Sequence, residues 1–118
     1  MRFPPDDDLL AALERWRDAR RAGIALRAEG ATSGGPFDQF ARGFVAGMCE
    51  LEDEVSREHD AFLLDPGLGP MTYLTADGRV LLDFRTWWGD EVKEATEDEA
   101  IGALVVGARQ TGIARLLD

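Results

Sequence analysis

The sequence predicts an α+β domain in which a small antiparallel sheet, built on a central hairpin, packs against about three helices. Three observations support this prediction. Apolar residues repeat at steps of three and four from Asp38 to Glu58, which is typical of a long amphipathic helix. Two β-rich runs flank Asp77–Gly78, which is the pattern of a hairpin turn. A helix-start signal at Thr96 follows the hairpin, so the predicted order is helix, helix, strands, helix.

The first helix is predicted from its start signals. Two prolines at positions 4 and 5 precede three aspartates at 6–8, and carboxylates complement the positive end of a helix dipole. Leu9, Leu13 and Trp16 follow at helical spacing. Gly23 is a plausible stop, so this helix is predicted over Asp7–Ala22. Residues 24–26 either end the helix or begin a strand, and 29–36 form a flexible connector.

The second helix carries the most regular apolar pattern of the chain, and we expect this stripe to pack into the core. Its members are Phe37, Phe40, Ala41, Phe44, Met48, Leu51 and Val55. On a 3.6-residue wheel, Glu50, Asp53 and Glu54 point away from the stripe, together with Arg57. The carboxylates near the end of this helix oppose the negative pole of its dipole, at a cost of some tenths of a kcal/mol each. A local penalty without a local gain is a mild indication of function.

The strands are predicted from two β-rich runs, 71–75 and 79–84, which both carry apolar residues on both faces. A third strand is predicted over 61–64, separated from the hairpin by the turn residues 65–70. Trp87 and Trp88 follow the hairpin. Adjacent residues of a strand point to opposite faces, so one tryptophan belongs to the core and the other is partly exposed, either as a packing plug or as an interface anchor.

The third helix begins with a capping box, in which the Thr96 hydroxyl and the Glu99 carboxylate each accept from the other residue's backbone N–H. Its apolar stripe consists of Ile101, Leu104, Val105 and Ala108. Gly112 predicts a bend or a stop before residues 113–117.

Length and composition limit the class of protein. The 118 residues predict one domain, 1–118, and the 45% of hydrophobic residues suffice for a core. Carboxylates number 23 against 13 bases, which gives a net charge of −10 and makes direct binding to nucleic acid unfavourable. There is no apolar run of about 18 residues that would span a membrane, and no secretory signal. The lone Cys49 excludes an internal disulfide, so we expect a reducing, cytoplasmic setting.

The negative charge is concentrated in two short segments. Residues 50–60 contain six acids and one base, and residues 90–100 again contain six acids and one base. Each segment therefore carries −5, and together they equal the whole excess of the chain. A charge run is most often a solvated helix face, and helix-start chemistry accounts for part of the second segment. The alternative is an acidic patch that attracts a basic partner, which requires the two segments to lie close together.

Catalytic constellations are not evident in the sequence. His59 is the only histidine and Cys49 the only thiol, too few for a zinc site. On one helix the two would lie ~15 Å apart, too far for a catalytic dyad. The acids around position 52 do not follow the spacing of a calcium loop, and the nucleophile-elbow and phosphate-loop patterns are missing. We therefore expect a protein without enzymatic activity, metal or cofactor.

One segment resembles a known family. The run from Tyr73 to Asp83, a hydrophobic strand, an Asp–Gly turn and a second strand, is similar to the strand–turn–strand of the SMI1/KNR4 (SUKH) family. The following helix, Glu97 to Val106, and the Gly-rich stretch 34–37 also resemble that family. The resemblance covers about a third of the chain. It implies an α+β adaptor, in bacteria commonly an immunity protein that neutralises a toxin by direct binding.

Together these patterns predict a non-enzymatic, acidic module that binds another protein with a basic surface. The residues predicted to contact this partner are Glu50, Asp53, Glu54, Glu58, Asp90, Glu91, Glu94, Trp87 and Trp88. The alternative is a small structural or assembly subunit in which the tryptophans and the phenylalanine stripe form subunit contacts. A small-ligand binder or an enzyme is a third alternative, and it requires a deep pocket lined by several polar groups.

Overall fold

A computed structural model describes residues 3–30, 36–65, 70–85, 89 and 91–117, including the side chains of all of these except 27–30 and 36–41. It confirms the α+β class, with three α-helices and a four-stranded antiparallel sheet. The helices are α1 (Asp7–Gly30), α2 (Pro36–His59) and α3 (Glu97–Thr111), followed by a short 3-10 helix at Ala114–Leu117. The strands are β1 (Ala61–Asp65), β2 (Met71–Thr75), β3 (Val80–Asp83) and β4 (Val92–Glu94).

The predicted hairpin forms the centre of the sheet, whose order is β1-β2-β3-β4. Gly78 in its turn has φ +91°, in the left-handed region that glycine tolerates best. The N–H of Phe3 donates to the carbonyl of Gly78 at 2.7 Å, so the start of the chain lies directly on this turn. The sequence analysis expected two or three strands and missed β4. Its three residues, Val-Lys-Glu, contain a single apolar side chain and lack a strand pattern.

Helices on both faces of the sheet explain why the central strands are apolar throughout. On one face, Phe62, Leu64, Leu74 and Val80 pack with α3 and with the first turns of α1. On the other face, the sheet packs against Val55 and Met48 of α2. The sheet residues of this second cluster are Ala61, Leu63, Met71, Tyr73, Leu81 and Val92. The two clusters alternate along each strand, as the pleat requires.

Helix α1 begins where predicted but does not end at Gly23. The N–H of Leu9 donates to the Asp6 carboxylate at 2.9 Å, which caps the start. The helix then continues to Gly30, so the stop predicted after Ala22 is wrong and residues 24–26 are helical. A single glycine costs a helix only about 1 kcal/mol. Ile24, in the continued part of the helix, lines a cleft that α1 shares with α2.

Helix α2 confirms the long amphipathic helix, two residues earlier and one later than predicted. Its apolar stripe is buried only toward its end: Val55 is 1% exposed, whereas Phe44 is 52% exposed. The side chains of Phe37, Phe40 and Ala41 lie outside the described part, as does the backbone of the glycine-rich connector at 31–35. Length explains the exposure of Phe44. A helix of 24 residues spans about 36 Å, while a five-residue strand spans about 17 Å, so α2 outruns the sheet.

Helix α3 has the predicted capping box. The N–H of Glu99 donates to the Thr96 hydroxyl at 3.3 Å, and the N–H of Thr96 donates to the Glu99 carboxylate at 3.0 Å. Gly112 adopts φ +72° and ends the helix, as predicted. Within the described part of the chain, no helix is both long enough and apolar enough to cross a bilayer.

The capping box predicts a measurable pH dependence of stability. Hydrogen bonds from Thr96 hold the pKa of Glu99 below its ordinary value of 4.5. A depressed folded-state pKa means that its stabilisation is complete above pH 4.5 and is lost as the pH falls through the lower folded value. We therefore expect urea denaturation of Glu99→Gln to show a weaker loss of stability between pH 5 and pH 3 than wild type. An identical pH dependence of the two proteins would contradict this.

Candidate functional site

The outer side of α2 carries a row of carboxylates. Glu50, Glu54 and Glu58 are spaced four residues apart, so they share one side of the helix. Glu50 and Glu58 are exposed, and Glu54 is half-exposed. Of the described residues, none forms an ion pair with Glu50. The first acidic segment therefore presents a charged ridge along one side of α2.

The second acidic segment is divided between the two faces of the sheet: Glu94 lies in β4 on the same side as α2, whereas residues 97–99 begin α3, which packs on the opposite face. Val92 pairs with Asp83, and Glu94 pairs with Leu81. Leu81 faces the α2 cluster, so the pleat places Val92 and Glu94 on that face too. Glu91 and Glu94 are both exposed, and neither forms an ion pair within the described part of the chain.

Arg85 links the first acidic segment to the end of β3. Its guanidinium donates to Glu54 of α2 at 2.8 Å and to both carboxylate oxygens of Asp83 at 2.9 Å. The preceding residue, Phe84, donates its N–H to the carbonyl of Glu91 at 3.2 Å. Glu54 and Glu91 therefore both adjoin the turn at Phe84–Arg85. Only the backbone of Glu91 makes this contact, and the pleat directs its side chain to the face opposite Glu94. We call the acids on the α2 side of the sheet, Glu50, Glu54, Glu58 and Glu94, the acidic face.

The Asp83–Arg85 pair is built into the sheet. The Asp83 side chain is fully buried, and it also accepts from the N–H of Arg85 at 3.0 Å. Hydrogen bonding to Asp83, and then to Glu54, raises the pKa of Arg85 above its ordinary value. Arg85 therefore holds its charge at any physiological pH and fixes α2 against the end of β3.

Two other acids of the first segment are turned away from the acidic face. Glu52 is 3% exposed and accepts hydrogen bonds from both Arg20 and Arg21 of α1. Asp53, which the sequence analysis placed among the partner-binding residues, is exposed but paired with Arg21 at 2.6 Å. Both carboxylates therefore connect α2 to α1, on the side away from Glu54.

In the sequence, Glu52 was counted only within the net charge of residues 50–60, and its burial and pairing were not predicted. One signal was present: Glu52 lies four residues after Met48 and three before Val55, which places it beside the apolar stripe. No pattern in the sequence indicates which residues pair with Glu52, because Arg20 and Arg21 lie more than thirty residues earlier. The other predicted contact residues, Trp87, Trp88 and Asp90, lie outside the described residues.

Arg20, one of the two arginines that meet Glu52, lines a cleft between α1 and α2. This cleft has a volume of about 270 Å³. It is lined by Arg20, Ile24, Val45, Met48, Cys49, Glu52, Leu63 and Met71. Most of its lining is apolar, and its one ion pair is already satisfied, so it offers a packing surface and few groups for chemistry.

Groups with catalytic potential are scattered through the described part of the chain. His59 lies in an open notch with Asp60, Asp77 and Arg79, and its ring is 3.9 Å from Glu58. The hydroxyl of Tyr73 is buried, and burial raises the pKa of Tyr73, so it stays protonated at neutral pH. Within the described ranges, no three His, Cys, Asp or Glu side chains are grouped to hold a metal ion.

Comparison with known proteins adds no identification: the chain matches no family model, no curated protein and no solved structure. What the fold and the surface define is an α+β domain with one acidic face.

Proposed function

We propose that this chain is a non-enzymatic module that binds a second protein, one with a basic surface, through the acidic face. The observation that carries the proposal is the meeting of the two acidic segments at the Phe84–Arg85 turn. Carboxylates that share one surface add their fields, which raises the rate of association with a basic partner and discriminates against acidic ones.

Some of these carboxylates destabilise the helix that carries them, which supports a functional reason for their positions. Glu54 and Glu58 lie in the last two turns of α2, where a negative charge opposes the helix dipole. Glu91 and Glu94 gain no ion pair from the described residues. Glu54 contributes to folding through its ion pair with Arg85. Glu91 and Glu94 add little, so binding is the simplest reason for the position of these two acids. Given the resemblance to the SMI1/KNR4 family, the most concrete form of the proposal is a bacterial immunity protein that covers a basic site of a toxin.

The proposal predicts a salt-sensitive association that depends on particular acids. A partner co-purified from the native host should bind Glu50→Gln/Glu94→Gln about tenfold more slowly than wild type, measured by surface plasmon resonance at low salt. Rising ionic strength should reduce the difference, because exposed charges are screened beyond about 10 Å at 0.1 M salt.

The matched control is Glu14→Gln/Asp18→Asn, which removes the same charge from exposed positions on α1. This variant should associate at nearly the wild-type rate. Association that is insensitive to salt, or equally slowed by both double variants, would show that the acidic face does not mediate binding.

A second candidate function is assembly with further copies, and one observation favours it. Leu26 of α1 is 69% exposed and Phe44 of α2 is 52% exposed. Phe44 belongs to the stripe that was predicted to be core and that forms subunit contacts only in the alternative of an assembly subunit. Sedimentation of the wild-type chain separates the two functions. A mass that rises with concentration, and returns to the monomer value in Phe44→Ser, supports assembly. A monomer at all concentrations excludes it.

A further inference from the structure

The β4 strand is an open edge of the sheet. It pairs with β3 on one side and with no described strand on the other. The N–H of Ala95 donates to Val80 at 2.9 Å, and the carbonyl of Glu91 accepts from Phe84 at 3.2 Å. In an antiparallel ladder, alternate residues direct both backbone groups to the same neighbour. Residues 91, 93 and 95 therefore face β3, and the N–H and C=O groups of Val92 and Glu94 point outward.

The charges along this edge are nearly all negative. Lys93 is the one base, and its ammonium lies 3.5 Å from Glu99 and 5.5 Å from the centre of the Phe84 ring. Its charge is therefore already matched within the chain. Glu91 and Glu94 are exposed and unpaired among the described residues, and Glu97 and Asp98 follow directly, both exposed as well.

We propose that a basic, extended segment of the partner adds to β4 as a fifth strand. This inference rests on the proposed function and specifies how the partner binds. Strand addition draws its affinity from main-chain hydrogen bonds and its specificity from alternate side chains. Val92 and Glu94 offer two donors and two acceptors for such bonds. Lysine or arginine at alternate positions of the added strand would lie beside Glu94, where opposite charges across a strand pair stabilise it.

Charge decides against a second copy of this chain as the occupant. Pairing β4 with β4 of another copy would place the carboxylates of Glu91 and Glu94 near their equivalents, and like charges directly opposite each other destabilise a strand pair. A basic segment gains from the same carboxylates. The edge therefore selects a partner of opposite charge.

The probe for this inference is a fluorescent, six-residue peptide of alternating arginine and valine, titrated against the full chain at low salt and followed by anisotropy. A matched peptide carries N-methyl groups on alternate amides, which keeps its charge but removes half of its donors. We expect the N-methylated peptide to bind at least about tenfold more weakly, because each lost bond leaves a polar group unpaired.

Amide hydrogen exchange gives an independent readout. On binding the unmodified peptide, the exchange of the Val92 and Glu94 amides should slow markedly. The Lys93 amide, which faces β3 already, should change little. Exchange measured by NMR on the wild-type chain therefore tests strand addition without any substitution.

Val92→Pro gives the complementary change on the protein. Proline removes an outward N–H and no bond to β3, and edge strands tolerate it. Circular dichroism confirms that the variant is folded, and its affinity for the peptide should fall at least about tenfold.

Tight binding with protected Val92 and Glu94 amides supports the fifth strand. Equal binding of both peptides would overturn strand addition while leaving binding by charge intact. If neither peptide binds, both strand addition and the attraction of a basic segment by charge would be overturned.

Discussion

Replacing Glu52 with alanine is expected to lower the free energy of unfolding by about 3 kcal/mol, measured by urea denaturation. Glu52 is 3% exposed and accepts from two guanidinium groups, one of which, Arg20, is largely buried. Removing one partner of a buried ion pair leaves the other charge without compensation, which costs about 3–5 kcal/mol. We expect the lower end of this range, because Arg21 keeps its contact with Asp53 and some access to water.

Glu50→Ala is the matched control for this variant. Glu50 lies two residues earlier on the same helix and is exposed, so its loss should change stability by less than about 0.5 kcal/mol. The double variant Arg20→Ala/Glu52→Ala should recover part of the loss, since it removes the uncompensated charge together with its partner. Equal stability of Glu50→Ala and Glu52→Ala would show that the α1–α2 ion pairs contribute nothing to the fold.

Replacing Gly78 with alanine is expected to destabilise the chain by about 2–6 kcal/mol. Two costs add. The φ of +91° is unfavourable for any residue with a Cβ, at about 1–3 kcal/mol. A Cβ at this position would also lie 2.5 Å from the nitrogen of Pro4 and 2.7 Å from the backbone of Phe3. Crowding in a packed region costs about 1–3 kcal/mol more.

Gly102→Ala is the control for backbone effects. Gly102 is exposed in the middle of α3, and a Cβ there would meet no atom within 4 Å. Alanine should therefore stabilise α3 by about 0.5–1 kcal/mol, the difference in helix propensity. Thermal unfolding of the two variants should thus shift in opposite directions. A shift of Gly78→Ala in the same direction as Gly102→Ala would contradict the contact between the chain start and the hairpin turn.

The features that the sequence predicted well depend on residues close together along the chain. The capping box joins Thr96 to Glu99, and the hairpin turn at Asp77–Gly78 joins strands that are adjacent in sequence. Such interactions are encoded within a few residues, so they survive in almost any tertiary context. The start of α1, the length of α2 and the end of α3 at Gly112 were predictable for the same reason.

The features that the sequence did not predict depend on packing between distant elements. Helix α1 continues past Gly23 into a cleft that it shares with α2, and β4 is held as a strand by its pairing with β3. Neither event leaves a local pattern, since β4 has one apolar residue and Gly23 resembles an ordinary helix end.

The sequence by itself therefore determined the α+β class, the places where helices start and turns form, and the concentration of carboxylates in two segments. Only the tertiary structure decided what each carboxylate does. Glu52 is buried under two arginines of α1, Glu54 is bound by Arg85, and Glu91 adjoins the same turn as Glu54. The physical reason is that charge is a property of single residues, whereas burial and ion pairing are set by which elements pack together.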